Sequence, residues 1–246
     1  MKKTSIVRKV VTSALNVVPV GQTVRIRRGP LRGMKWIAGA AAGEGRGLAP
    51  VLDMAETAQI AFAKSLCNSE AICFDFGANV GLYTLLFARY CRYVYAFEPV
   101  PRNVMYLQQA ILKNHLVNVT VMPVAIGEQL SLALFAAGEN FAVGGLSEEG
   151  EQPVAVISCD AFVEAYGIEP DIIKVDVEGA ETSVLRGAKQ LLAKRHAIIL
   201  LSVHSRDLRA ECLALLREEG YQSFKPLNGP DIEHASELVI FPREVN

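Results

Sequence analysis

Three groups of residues in this 246-residue chain combine types and spacing that can do chemistry. Asp75-Phe76-Gly77-Ala78-Asn79-Val80-Gly81 stands between a short apolar run, Ile72-Cys73-Phe74, and a stretch from Leu82 to Tyr90 with apolar residues at helical spacing. Strand, glycine loop and helix in that order mark where a doubly wound sheet opens its ligand cleft. Glycines let the backbone approach a ligand, and unpaired N–H groups at the helix start attract a carboxylate or phosphate. The spacing, G-x-x-x-G, departs from the dinucleotide fingerprint and lacks the ending of a phosphate-binding loop, so alone it is equally a tight turn. Glu98 closes the next apolar run, Tyr93 to Phe97, where such folds place an acid that accepts hydrogen bonds from ribose hydroxyls and repels a 2′-phosphate.

The third group is Ile172 to Glu181. Alternation along a strand puts Lys174 and Asp176 on one face with Ile172, and Ile173, Val175 and Val177 on the other. A central parallel strand is covered on both faces, so this lysine and aspartate either form a structural buried pair or line a site. Their place at the strand's carboxyl end favours the site. Glu178-Gly179 then turns into a helix, where Glu181 suits the first turn as a capping acid. His204 ends the following run, Ile198 to Val203, on the same sheet edge as Asp75, Glu98 and Asp176, and an imidazole titrates near neutral pH. His115, His196 and His234 fall at helix or loop ends and carry no expected role.

The elements that must position these groups follow from periodicity. Strands are expected at Ile72–Phe74, Tyr93–Phe97, Val119–Val124, Ile172–Val177 and Ala197–Val203, alternating with helices at 82–90, 102–115, 180–192 and 208–219. Such alternation predicts an α/β fold with a parallel sheet. Extra strands at 130–136 and 154–158 flank a 138–152 loop, a candidate substrate loop, and Tyr221–Lys225 with Leu238–Phe241 form a closing hairpin. Upstream, Thr23 to Ile37 reads as a hairpin around Gly29-Pro30, followed by a glycine-rich loop and a helix over 51–66. Two regions result: an appendage of helix and hairpin over 1–50, and the main domain over 51–246.

Composition narrows the function. Twenty-five basic against 26 acidic residues leave no field for a nucleic-acid polyanion, and 7% aromatics offer no evident stacking platform. Five cysteines without a C-x-x-C spacing argue against a disulfide framework and point to a reducing cytoplasm. No apolar run reaches the roughly 20 residues that span a bilayer. Ile6, Val7, Val10, Val11, Leu15 and Val18 recur at helical spacing beside Lys2, Lys3, Arg8 and Lys9, a helix packed on its own domain or one in weak peripheral contact with lipid.

The residues Phe74 to Thr84, Ala96-Phe97-Glu98-Pro99, Val124-Ala125-Ile126-Gly127 and Ile173 to Glu181 with Arg186-Gly187 resemble the FkbM-type methyltransferases, a branch of the class I S-adenosylmethionine-dependent enzymes. The match covers about Met54 to Phe241. The resemblance implies a Rossmann-like, seven-stranded, mostly parallel sheet whose last strand is antiparallel. It implies that Asp75, Phe76, Gly77, Ala78, Asn79 and Gly81, with Tyr83 and Thr84 in the same block, hold the methionine part of the cofactor. Glu98 beside Pro99 would take the ribose, and Ala125 with Ile126 the adenine edge. Two departures stand out: the family often ends the histidine-bearing strand in Glu-x-His, where this chain has Ser202-Val203-His204, and the approach to the first helix has Ala55-Glu56 in place of an aromatic-glutamate pair.

The expected reaction is O-methylation of a hydroxyl on a sugar or polyketide-like small molecule, as the resemblance implies. His204 serves as base, Asp176 orients it or the substrate, and Lys174 stabilises the developing alkoxide. In a variant, Asp176, Glu178 and His204 hold a divalent metal that acidifies the acceptor hydroxyl. The rivals are a nicotinamide-dependent oxidoreductase, favoured by Glu98 and disfavoured by the glycine spacing, and a non-catalytic cofactor-binding protein.

Overall fold

The computed structural model describes residues 17–41, 44–137, 144–146, 150 and 152–243. The helix expected before Val18 and most of the 138–152 loop lie outside them. Seven strands form the central sheet: β1 (Ile72–Phe76), β2 (Tyr93–Phe97), β3 (Val119–Met122), β4 (Ile172–Val175), β5 (Ile198–Ser202), β6 (Ser223–Pro226) and β7 (Glu237–Phe241). Their spatial order is β6-β7-β5-β4-β1-β2-β3. The pairs from β5 to β3 are parallel, and β7 runs antiparallel to both neighbours. The order reverses between β4 and β1, which leaves a crevice at their carboxyl ends.

β1, β2, β4, β5 and β7 divide their side chains between two cores. Cys73, Val94, Ile172, Leu200 and Val239 face one cluster, which also holds Leu85, Leu86 and Phe87 of the helix Leu82–Tyr90. Phe74, Phe97, Ile173, Val175, Ile199, Leu201 and Ile240 face the other. The hairpin pairs Thr23–Arg25 with Lys35–Ile37, and its Ile26, Leu31, Met34, Trp36 and Ile37 belong to the first cluster, so it shares a core with the sheet.

Most boundaries shift by one or two residues, β1 running on to Phe76 and β4 ending at Val175, before Asp176, and three elements differ further. The helix expected over 51–66 begins at Thr57, after a 3-10 turn at Ala49–Leu52. The strand expected to run to Val124 ends at Met122; Ala125–Gly127 instead pairs with Gln152–Ser158 in a second sheet, completed by Ser131–Ala137 and Gly144–Leu146. The helix over 180–192 is two helices, Glu181–Arg186 and Lys189–Ala193. At the break, a Cβ on Gly187 would stand 1.9 Å from the Gly127 carbonyl oxygen, so the second sheet presses directly on the backbone there.

Candidate active site

A cavity of about 290 Å³ opens at the switch point between β1 and β4. Asp75, Gly77, Ala78, Asn79 and Tyr83 line it from β1 and the following helix, and Glu98 and Pro99 from the end of β2. Ala125 and Ile126 close one end, and Lys174, Asp176 and Glu178 stand at the other. Trp36, Gly47, Ala49 and Pro50 of the N-terminal segment add a wall, with the Trp36 indole donating to the Gly47 carbonyl at 2.9 Å.

The glycine loop is spoken for by its own scaffold. The N–H groups of Gly77 and Ala78 both donate to the Phe97 carbonyl at 3.0 Å, which ties the loop to β2. Gly77 has φ +77°, and a Cβ there would lie 1.8 Å from the Asp176 carbonyl oxygen, so only glycine permits this approach between the two halves of the site. Glu98, almost fully buried, accepts from the Asn79 N–H at 2.8 Å, the Val100 N–H at 2.9 Å and the Asn103 amide at 3.3 Å. Burial raises its pKa, and these donors pull against the shift. Asp75 is 2% exposed and accepts the Thr84 hydroxyl at 2.6 Å. Burial pushes its carboxyl up to about 6, with Thr84 and Lys174 opposing.

Not all expected cofactor residues reach the cavity wall. Phe76 packs its ring into the second core against Phe97. Gly81 precedes the helix Leu82–Tyr90 at φ +100°, where a Cβ would meet Leu107 at 2.6 Å. Thr84 spends its hydroxyl on Asp75 and acts one layer behind the cavity.

At the other end, Lys174 is 1% exposed and its ammonium is surrounded. It donates to Asp176 Oδ2 at 3.1 Å and to the Ser202 hydroxyl, and it lies 5.0 Å from the centre of the Tyr83 ring. Ser202 in turn donates to Glu237 at 2.8 Å, and Tyr83 donates to Glu56 at 2.8 Å. Burial alone would lower the Lys174 pKa, but Asp176, Glu237 and Glu56 outweigh it and raise the value. Asp176 is held down to about 2: burial pushes up, while Lys174 and His204 pull further down. His204, half-exposed, has Nε2 3.7 Å from Asp176 Oδ1 and 3.8 Å from Glu178 Oε2. The Asp176 contact, opposed by burial and helped by Glu178, raises the imidazole to about 9. Glu178 sits at φ +53° in the turn after β4, and its own pKa is raised by burial and by Asp176. Glu181, expected as a capping acid, opens the next helix without capping it and accepts instead from the Val177 and Gly179 N–H groups of the preceding turn.

Glu237 and Glu56 were not legible as site residues. Glu237 lies opposite Ser202 in the β5–β7 register, so an acid from the last strand stands beside the position where Glu-x-His would carry one. Glu56 finds its aromatic partner in Tyr83, 27 residues downstream. Glu56 lines the cavity. Both depend on pairings between distant segments.

The family model described as Methyltransferase FkbM domain matches residues 75–223, more than half of the chain. A curated relative, the hexuronic acid methyltransferase AglP of Haloferax volcanii, is 29% identical over 138 residues, covering 54% of this chain and 56% of its own length. The solved methyltransferase FkbM of Methylobacillus flagellatus KT superposes with a TM-score of 0.53 at 20% identity, covering 70% of this chain and 44% of that one. The matched part thus spans about half the length of these relatives. The structural likeness shows a shared Rossmann-like methyltransferase fold. Among the described residues, no helix is long and apolar enough to cross a membrane.

Proposed function

From the premise that this chain belongs to the methyltransferase FkbM domain family, we propose that it uses S-adenosylmethionine to methylate a hydroxyl of a sugar or related small molecule. The observation that carries this reading is the charge of the cavity wall. Among the described residues, Asp75, Glu98, Glu56, Asp176 and Glu178 line it against Lys174 alone, with His204 beside them. A wall of carboxylates favours a cofactor with a sulfonium, an ammonium and a ribose diol. It disfavours a dinucleotide pyrophosphate, which needs free N–H groups at the glycine loop, whereas those of Gly77 and Ala78 are already bonded to Phe97. The nicotinamide reading is the weaker for it.

When bound, the cofactor supplies an electrophilic methyl group. Glu98 keeps lone pairs free beyond its three donors to accept from ribose hydroxyls. Asp75 offers a buried negative charge to the cationic part, and Ala125 and Ile126 an apolar edge to the adenine. The acceptor hydroxyl would be held on the side of Asp176, Glu178 and His204, facing the methyl group that a bound cofactor would supply for in-line displacement, and would release its proton to water there. Positioning supplies much of the rate in such a displacement. Lys174, locked between Asp176 and Ser202, holds the Asp176 carboxylate in place. At neutral pH His204 carries a proton, so the imidazolium donates to an acceptor oxygen and serves as a base only once that proton is gone. A glycan acceptor is supported by the relative named for a hexuronic acid.

Thermal unfolding of the full chain with S-adenosylhomocysteine, and separately with NADH, tests the reading. At a hundredfold excess over its dissociation constant a ligand adds about 2.7 kcal/mol. A rise of several degrees with S-adenosylhomocysteine alone is expected; a rise with NADH alone would overturn the proposal.

A further inference from the structure

We infer that Asp176, Glu178 and His204 bind one divalent cation of the Mg²⁺ or Mn²⁺ class at the acceptor end of the cavity; this rests on the methyl-transfer reading and deepens it. The three side chains come from the end of β4, the turn that follows and the segment after β5, and one ligand atom of each lies within 4.8 Å of the others. Asp176 divides its two oxygens. Oδ2 takes the Lys174 ammonium at 3.1 Å, whereas Oδ1 is buried with no hydrogen-bond partner among the described residues. A buried carboxylate oxygen without a donor is costly, and it faces the cluster rather than solvent. The separations of 3.7 Å and 3.8 Å to His204 Nε2 are too long for hydrogen bonds. They lie within about an ångström of the spacing that adjacent ligands adopt around a small octahedral ion with bonds near 2.1 Å.

The surroundings ask for further positive charge. Glu56, Asp176, Glu178 and Glu237 crowd around Lys174 and His204, an excess of carboxylates at the place where an alkoxide must develop. Two carboxylates and one imidazole form a donor set for a hard or borderline ion. Three protein ligands leave positions for water or for the oxygens of a diol, the ligand class a sugar acceptor presents. A hydroxyl bound there is acidified and releases its proton to water, and His204, which gives up to solvent the proton it carries in the metal-free site, acts as ligand rather than as donor or base.

Mn²⁺ titrated into the chelator-stripped full chain, with and without S-adenosylhomocysteine, tests the site, free Mn²⁺ being read from its paramagnetic resonance signal. One ion per chain is expected, with His204→Gln and Glu178→Gln each weakening it by about tenfold or more. Both side chains are partly exposed, so the variants should unfold at nearly the wild-type temperature and still bind S-adenosylhomocysteine in calorimetry. Absence of a stoichiometric site at millimolar Mn²⁺, or equal affinity in both variants and wild type, overturns the inference. S-adenosylhomocysteine binding without Mn²⁺ binding sinks the cation site alone; Mn²⁺ binding without S-adenosylhomocysteine binding sinks the methyl-transfer reading alone.

Discussion

Asp75 carries the sharpest conflict between stability and use in this molecule. Its carboxyl ionises near 6 in the fold against an ordinary 3.8, chiefly because it is buried. The folded state therefore holds a proton that the unfolded chain releases, and stability falls as pH rises from about 4 through 6. That difference corresponds to about 2–3 kcal/mol against the fold at pH 7. Asp75→Asn keeps an oxygen for the Thr84 hydroxyl and removes that charge. The variant should melt several degrees above wild type at pH 7, with the gap closing near pH 4, and should bind S-adenosylhomocysteine at least about tenfold more weakly, as loss of a buried charge partner does. Equal melting temperatures at pH 7 would show that Lys174 fully compensates the buried carboxylate. Asp75, Glu98, Lys174, Asp176 and His204 were legible because a doubly wound order sends all of them to one sheet edge. Glu237 was not, since its partner Ser202 stands 35 residues earlier and only strand register joins the two.

At the level of elements, glycines separate two kinds of constraint. Gly167 ends the helix Cys159–Tyr166 at φ +65° with open space around it, so Gly167→Ala meets only the left-handed backbone penalty, about 1 kcal/mol. Gly187 has an ordinary φ of −76°, yet its Cβ position is filled by the Gly127 carbonyl. Gly187→Ala should cost more, about 1–3 kcal/mol or beyond as overpacking against backbone, although no backbone strain is involved. Urea unfolding of both variants measures the difference; equal midpoints would mean that the second sheet yields. This contact also explains why apolar spacing over 180–192 reads as one helix. Periodicity reports which side faces a core, but a backbone pressed in from Ala125–Gly127 leaves no mark on it. The Ala125 strand was hidden for a similar reason, because a break after Met122 changes sheet without changing apolar character.

For the whole molecule, the hairpin matters more than its place before the main domain suggests. Ile26, Leu31, Met34, Trp36, Ile37 and Leu48 are all buried in the cluster that packs one face of the sheet. Exposing them would forfeit about 1.5–3 kcal/mol each, which together matches or exceeds the 5–15 kcal/mol that holds a typical domain. A chain beginning at residue 51 should therefore lose its cooperative unfolding transition, measured by circular dichroism. A sharp transition in that fragment would show instead that the sheet folds alone and that the 1–50 segment is an accessory wall. Alternating strands and helices made the parallel sheet readable from sequence; the docking of the hairpin was not, because nothing in a β-hairpin pattern names the surface that its apolar face covers.

The pairing of Ser202 with Glu237 has a consequence for how this site tolerates change. The negative charge near Lys174 belongs to a rung of the sheet, so either strand can supply it. Ser202→Glu should crowd two carboxylates onto one rung and Glu237→Ser should leave Lys174 short of one, each lowering the melting temperature. Made together, the two exchanges restore one acid and one hydroxyl across the same rung, and the double variant should be more stable than either parent change. A site built this way can pass through sequences that look inactive by motif while its electrostatic field stays where it was.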